Sequence, residues 1–153
     1  MMHLCCDVLS ALKGRTLVTA ESCTGGGIGA ALTAVSGSSA VYKGGIISYH
    51  NEVKRDLLRV SETDLANIGP VSGTVAEQMA RGARNALQSD VAISVTGLAG
   101  PGGDIFGNPV GTVYIGYADE KEAFSRRFSF CGNREDIRNQ AIENALQIIL
   151  EKN

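Results

Sequence analysis

The stretch Thr19-Ala20-Glu21-Ser22-Cys23-Thr24-Gly25-Gly26 sets an acid, hydroxyls and a thiol against a run of glycines. A nucleophilic enzyme needs such a hydroxyl or thiol with a base within hydrogen-bond reach. Bases are scarce in this chain. The only histidines are His3, near the N-terminus, and His50. A pairing of Cys23, or of a serine, with His50 is open but not favoured. The remaining arrangement is a serine with a lysine. Lysine acts as a base only where burial or neighbouring cations lower its pKa toward neutrality. Lys54, in Tyr49-His50-Asn51-Glu52-Val53-Lys54, stands where the first turn of a helix can aim back into a cleft. On residue type alone it reads as a solvated surface lysine.

Gly25-Gly26-Gly27-Ile28-Gly29-Ala30 follows a strand pattern and opens a helix, which is the spacing of a dinucleotide fingerprint. Glu21–Thr24 lengthen the turn beyond that motif, and no acid stands at the end of the second strand to take a ribose hydroxyl. The expectation that remains is an anion cradle. Backbone N–H groups at a helix N-terminus, beside small residues, suit a phosphate. The alternative is a tight turn with Ser22 or Thr24 as N-cap. Arg134, in Gly132-Asn133-Arg134-Glu135-Asp136, sits where a helix dipole disfavours a cation by ~0.3–1 kcal/mol. Either it meets an anion or it pairs with the acids beside it.

These residues need a scaffold. The chain has 153 residues, 44% apolar and 20% charged, and a net charge of −2. The length fits one domain with a substantial core. Without a basic block, a general nucleic-acid binder is not expected. No apolar run reaches the length of a membrane span, and the N-terminus does not read as a signal peptide. Cys5, Cys6, Cys23 and Cys131 form no CxxC pair, so reduced cytosolic thiols are expected and a metal site is not.

Periodicity predicts a first helix bearing Leu4, Val8 and Leu12, then a strand at 16–20 and a helix from Ile28 to Val35. A second strand is expected at 45–49, then short helices near Val53–Leu58 and after Ser61, with Ser61 and Asp64 as a capping box. Thr74 and Glu77 suggest the start of a long helix through Ala86. A strand follows at 91–95, a glycine-rich loop at 96–107, strands at 110–117 and 123–130, and a last helix at 134–151 capped by Asn133. Strands alternate with helices until two strands follow directly. That order predicts a three-layer α/β/α fold with a mixed sheet of about five strands, mostly parallel with one antiparallel strand. Ligands are then expected at the carboxyl ends of the strands.

Several segments together resemble the CinA C-terminal domain family, the nicotinamide-nucleotide amidohydrolases often called PncC. They are TAESCTGG (19–26), SGSSAVYKGGIISYHNEVK (36–54), VTGLAGPGG (95–103), NPVGTV (108–113) and FCGNREDIR (130–138). The resemblance implies hydrolysis of the carboxamide of nicotinamide mononucleotide to nicotinate mononucleotide and ammonia. It implies a Ser/Lys mechanism with no metal and no cofactor, in a cytoplasmic homo-oligomer, a dimer or larger. Carried over by motif, the nucleophile is expected at Ser39 and the base at Lys54, with Tyr49, Thr96 and Arg134 completing the catalytic set. Thr24, Gly25, Gly26, Asn51, Gly97 and Gly100 are expected to bind the nucleotide. A non-catalytic nucleotide-binding or interaction module of the same fold is the alternative. The chain departs from the family's usual residues at Pro70, Arg59 and Asn108, none of them in the Ser/Lys pair.

Overall fold

The computed structural model describes every residue from Met1 to Asn153. Leu17–Glu21 (β1) is buried at each position and Val91–Gly97 (β3) at all but its last. Such continuous burial marks strands covered on both faces. β1 pairs in parallel with Tyr42–Ile47 (β2) on one side and with β3 on the other. β3 pairs antiparallel with Thr112–Ala118 (β4), which pairs antiparallel with Ala123–Ser129 (β5). The order is β2-β1-β3-β4-β5, so β4 alone runs against the rest. The expected mixed, mostly parallel sheet is the one that forms.

Helices cover both faces. Met2–Ala11 (α1), Gly27–Thr33 (α2) and Arg134–Lys152 (α6) bury Val8, Ile28, Leu32, Ala141 and Leu146 against Leu17, Ile93, Ile115 and Tyr117. On the other face lie Asn51–Leu58 (α3), Glu62–Asn67 (α4) and Gly73–Ala86 (α5). There Val75, Met79 and Ala83 meet the small residues Ala20, Ala92 and Ala118. Small sheet residues let α5 sit close. A Cβ at Gly116 would collide with the Ala76 carbonyl, which accepts a hydrogen bond from Ser94 Oγ at 2.5 Å.

Three boundaries differ from expectation for local reasons. β2 begins at Tyr42 rather than Gly45, because Gly44 and Gly45 pair with Val18 and Thr19 despite their low strand propensity. β4 begins after Gly111, whose backbone (φ +92°) packs directly on the Phe130 carbonyl. α5 is capped by Ser72, whose Oγ accepts from Val75 N at 3.2 Å, rather than by Thr74. Ser61 caps α4 as its sequence suggests, but its own N–H donates to Gln78 Oε1 of α5 at 2.7 Å and not to Asp64. Asn133 and Asp136 form the capping box of α6.

Candidate active site

β1 has parallel partners on both sides. Its connection to β2 runs over one face through α2, and the connection from β2 to β3 returns over the other through α3–α5. Opposed crossovers leave a crevice at the carboxyl ends of the strands. A cavity of about 330 Å³ lies there, lined from three connections: Ser22 and Cys23 after β1, Tyr49 to Lys54 after β2, and Thr96 to Gly102 after β3. Arg134, at the start of α6, closes one side.

Lys54 is the unusual residue. It is 2% exposed, on the first turns of α3. His50 places that helix, its Nδ1 accepting from Glu52 N at 3.3 Å. The Lys54 ammonium nitrogen donates to the Ser48 carbonyl at 2.7 Å and lies 3.0 Å from Ser22 Oγ. No carboxylate pairs with it. Burial lowers its pKa to about 8, against a smaller opposing effect of the Cys23 thiol. Roughly a tenth of Lys54 is therefore the neutral amine at pH 7, able to accept a proton from the serine hydroxyl it touches.

Ser22 stands directly after β1, 8% exposed, its N–H donating to the Val95 carbonyl at 2.9 Å. The following turn is built around Glu21, which is 1% exposed. Its carboxylate accepts from Thr24 Oγ1 (2.7 Å), Ile28 N (3.0 Å) and Gly29 N (2.9 Å). The N-terminus of α2 is thus occupied by an internal anion. This corrects the expectation of a phosphate cradle at that helix. Thr24 is fully buried on Glu21, Gly25 faces Arg138 and Gly26 lines a separate small cavity beside Tyr42. None of these three lines the crevice beside Lys54.

Ser39 is elsewhere. It lies exposed in a single 3-10 turn, Ser38–Ala40, beyond the far end of α2, and it does not line the cavity. The hydroxyl at Lys54 is that of Ser22, so the structure corrects the expected Ser39–Lys54 pair. A Cys23–His pair is also absent. His50 is spent on its own helix, and burial pushes the Cys23 thiol up to about 11, which leaves it protonated.

The other expected residues do converge. Thr96 is buried against the cavity and donates from Oγ1 to the Pro70 carbonyl at 2.8 Å. Tyr49 is 64% exposed at the rim. Arg134 bridges two walls, donating to the Gly100 carbonyl at 2.6 Å and to Tyr49 Oη at 3.2 Å. Asn51, Gly97 and Gly100 also line the cavity. The N–H groups of Ala99, Gly100, Gly102 and Gly103 meet no acceptor within the chain.

Two residues escaped the sequence reading. Ser22 reads in the sequence only as a candidate N-cap, although it stands immediately beyond a central strand. Arg138 gave no signal alone. Only the fold brings it to the Cys23 and Thr24 carbonyls, 3.1 Å from each.

With this geometry in view, the comparisons with known proteins are informative. A family model described as the CinA C-terminal domain matches residues 3–152. A CinA-like protein of Rippkaea orientalis is 48% identical over 143 residues, which are 92% of this chain and 34% of that protein. One from Endomicrobium trichonymphae is 44% identical over 153 residues, covering 95% of this chain and 36% of its own length. The chain thus spans about a third of these curated relatives. Among solved structures, the competence damage-inducible protein A of Klebsiella pneumoniae superposes with a TM-score of 0.96 at 36% identity, over 99% of this chain and 95% of that one. A competence/damage-inducible protein of Agrobacterium tumefaciens gives 0.94 at 36% identity, over 98% and 93%. A match over nearly the whole length, in sequence and in backbone alike, leaves one conclusion: the chain belongs to the CinA C-terminal domain family.

Proposed function

We propose that this chain is an amidohydrolase that converts the carboxamide of nicotinamide mononucleotide to the carboxylate, releasing ammonia, with Ser22 as nucleophile and Lys54 as base. The observation that carries the reading is the buried, unpaired Lys54 nitrogen 3.0 Å from Ser22 Oγ, with a pKa lowered to about 8. The substrate follows from the motifs shared with the family. A charged rim and unpaired loop N–H groups beside a lysine of lowered pKa suit an anionic nucleotide whose reacting end is a neutral amide.

The chemistry runs in two halves. Neutral Lys54 takes the proton of Ser22 as Oγ attacks the carboxamide carbon. The carbonyl π electrons move onto oxygen, giving a tetrahedral oxyanion that N–H donors stabilise. The Lys54 ammonium returns the proton to the amide nitrogen, the C–N bond breaks and ammonia leaves. Lys54, neutral again, deprotonates a water that attacks the Ser22 ester. The ester bond breaks, the proton returns to Ser22 Oγ, and the pyridine carboxylic acid formed ionises to the carboxylate. Arg134 keeps its positive charge at the rim, where the phosphate of the substrate would meet it and the N–H groups of the 99–103 loop.

Incubation with nicotinamide mononucleotide, followed by ammonia detection and mass analysis of the nucleotide, tests this reading. A stoichiometric yield of ammonia and nicotinate mononucleotide is expected, with none from the Ser22→Ala variant. Binding of the nucleotide without ammonia release would instead make the chain a non-catalytic nucleotide-binding module.

A further inference from the structure

Arg138 lies one helical turn beyond Arg134 on the same side of α6. It forms no ion pair within hydrogen-bonding distance. Its guanidinium is spent on backbone, Nε donating to the Cys23 carbonyl and Nη2 to the Thr24 carbonyl, both at 3.1 Å. Such a fork fixes two successive peptide planes at once, which a single ammonium cannot do. Gly25 takes φ +58°, a conformation that favours glycine, and a Cβ there would make an ordinary contact of 3.7 Å with Nη2.

Pinning a carbonyl also aims an N–H. In a trans peptide the C=O of one residue and the N–H of the next point in opposite directions. The Thr24 carbonyl faces Arg138, and the Gly25 N–H on the same peptide points away and donates to the Ser22 carbonyl at 3.0 Å. The Cys23 carbonyl also faces Arg138, so the Thr24 N–H points to the Ser22 side of the turn. The Ser22 carbonyl turns inward to Gly25, so the Cys23 N–H points outward. Neither of these N–H groups reaches another residue's carbonyl. Cys23 follows the nucleophile directly and lines the crevice, the position at which strand–turn–helix hydrolases carry an oxyanion donor, whereas Thr24 lies outside the crevice.

We infer that Arg138 is a positioning residue for the reaction at Ser22: it holds the Cys23–Thr24 and Thr24–Gly25 peptides and, through the Gly25 N–H bond to the Ser22 carbonyl, the Ser22–Cys23 peptide, whose Cys23 N–H forms the oxyanion site. Its charge adds to the effect, since it withdraws electron density from the Thr24 carbonyl and strengthens the Gly25 N–H bond to the Ser22 carbonyl, which in turn polarises the Cys23 N–H. The inference rests on Ser22 being the nucleophile, but not on the identity of the amide.

A fluorophosphonate probe tests it without the natural substrate. Ser22 Oγ forms a bond to phosphorus, fluoride leaves, the serine proton passes to Lys54, and the phosphonyl oxygen takes the oxyanion position. Labelling rates are measured against pH for wild type, Ser22→Ala, Arg138→Met and Arg138→Lys, with thermal unfolding of each. The expectation for Arg138→Met is a rate lower by roughly 10²-fold, the effect of losing one oxyanion donor, with the midpoint of the pH–rate curve unmoved. Arg138→Lys reaches one carbonyl at a time and should recover about tenfold of that loss; it also serves if the methionine variant does not fold. A folded Arg138→Lys or Arg138→Met protein labelled within twofold of wild type overturns the inference. So does a loss accompanied by a shifted midpoint, because Arg138 would then act on Lys54 and not on the turn. Absence of Ser22 labelling in wild type would remove the nucleophile and the inference together, whereas wild-type labelling without ammonia release would remove only the nucleotide amidase reading.

Discussion

Two serine-bearing turns bracket α2. One, at its N-terminal end, carries Ser22; the other, beyond its C-terminal end, carries Ser39. Both are glycine-flanked, and both lie within segments shared with the family. They differ in surroundings. Ser22 is 8% exposed, follows a central strand and touches a lysine whose pKa burial lowers to about 8. Ser39 is exposed in a surface turn and faces no base. A hydroxyl becomes a nucleophile through what its oxygen touches and how dry that contact is.

The sharpest way to break this comparison is to remove each hydroxyl. Ser22→Ala should lower amide turnover by at least roughly 10³-fold, whereas Ser39→Ala should leave it within twofold. The reverse pattern in ammonia-release assays would put the nucleophile back in the second turn.

The base tests the same contrast through pH. Turnover should rise with pH about a midpoint near 8, where Lys54 loses its proton. Stability should follow the same group. Its folded pKa lies below the ordinary ~10.4. Between these values the unfolded chain holds more protons, so stability increases as pH rises from about 8. Below that, the folded protein carries a buried ammonium. Lys54→Met removes that penalty and should abolish turnover while raising stability at pH 7 by roughly 1–3 kcal/mol, read from chemical denaturation. A destabilised methionine variant would mean that the lysine's two hydrogen bonds outweigh its desolvation.

The smallest effect lies away from both turns. Arg59 follows α3 with φ +58°, a conformation that glycine adopts without strain. Arg59→Gly should raise stability by about 0.5–1 kcal/mol, the left-handed strain exceeding glycine's entropic penalty, with turnover unchanged. A thermal melt checks it.

Element types, strand number and the one reversed strand were all legible, because short apolar-rich strands alternate with helix-periodic segments until two strands follow each other directly, and α6 carries its own capping box. The Gly44-Gly45 strand was not, since its pairing is set by Val18 and Thr19 across the sheet. Lys54, Tyr49, Thr96 and Arg134 were legible as a group and meet in the crevice. That Ser22 and not Ser39 meets Lys54 was not legible, because Ser22 stands 32 residues from Lys54 in the chain and only the parallel pairing of β1 and β2 brings their carboxyl ends together. Arg138 was invisible for a similar reason: its partners are carbonyl oxygens 114 and 115 residues away.

Glu21 has a consequence for how the site meets its ligand. By placing its own carboxylate on the Ile28 and Gly29 N–H groups, the protein fills the helix terminus that a phosphate would otherwise organise. The turn bearing Ser22 is therefore braced from within the protein. Under the proposed reaction, binding energy would not be spent on ordering it, and the nucleotide's negative charge would fall to the opposite wall, toward Arg134 and the 99–103 loop. The crevice would then divide into a rigid half for bond-making and a separate half for recognition. Substitutions in the recognition half can thus alter ligand preference while the geometry of the chemical step stays fixed.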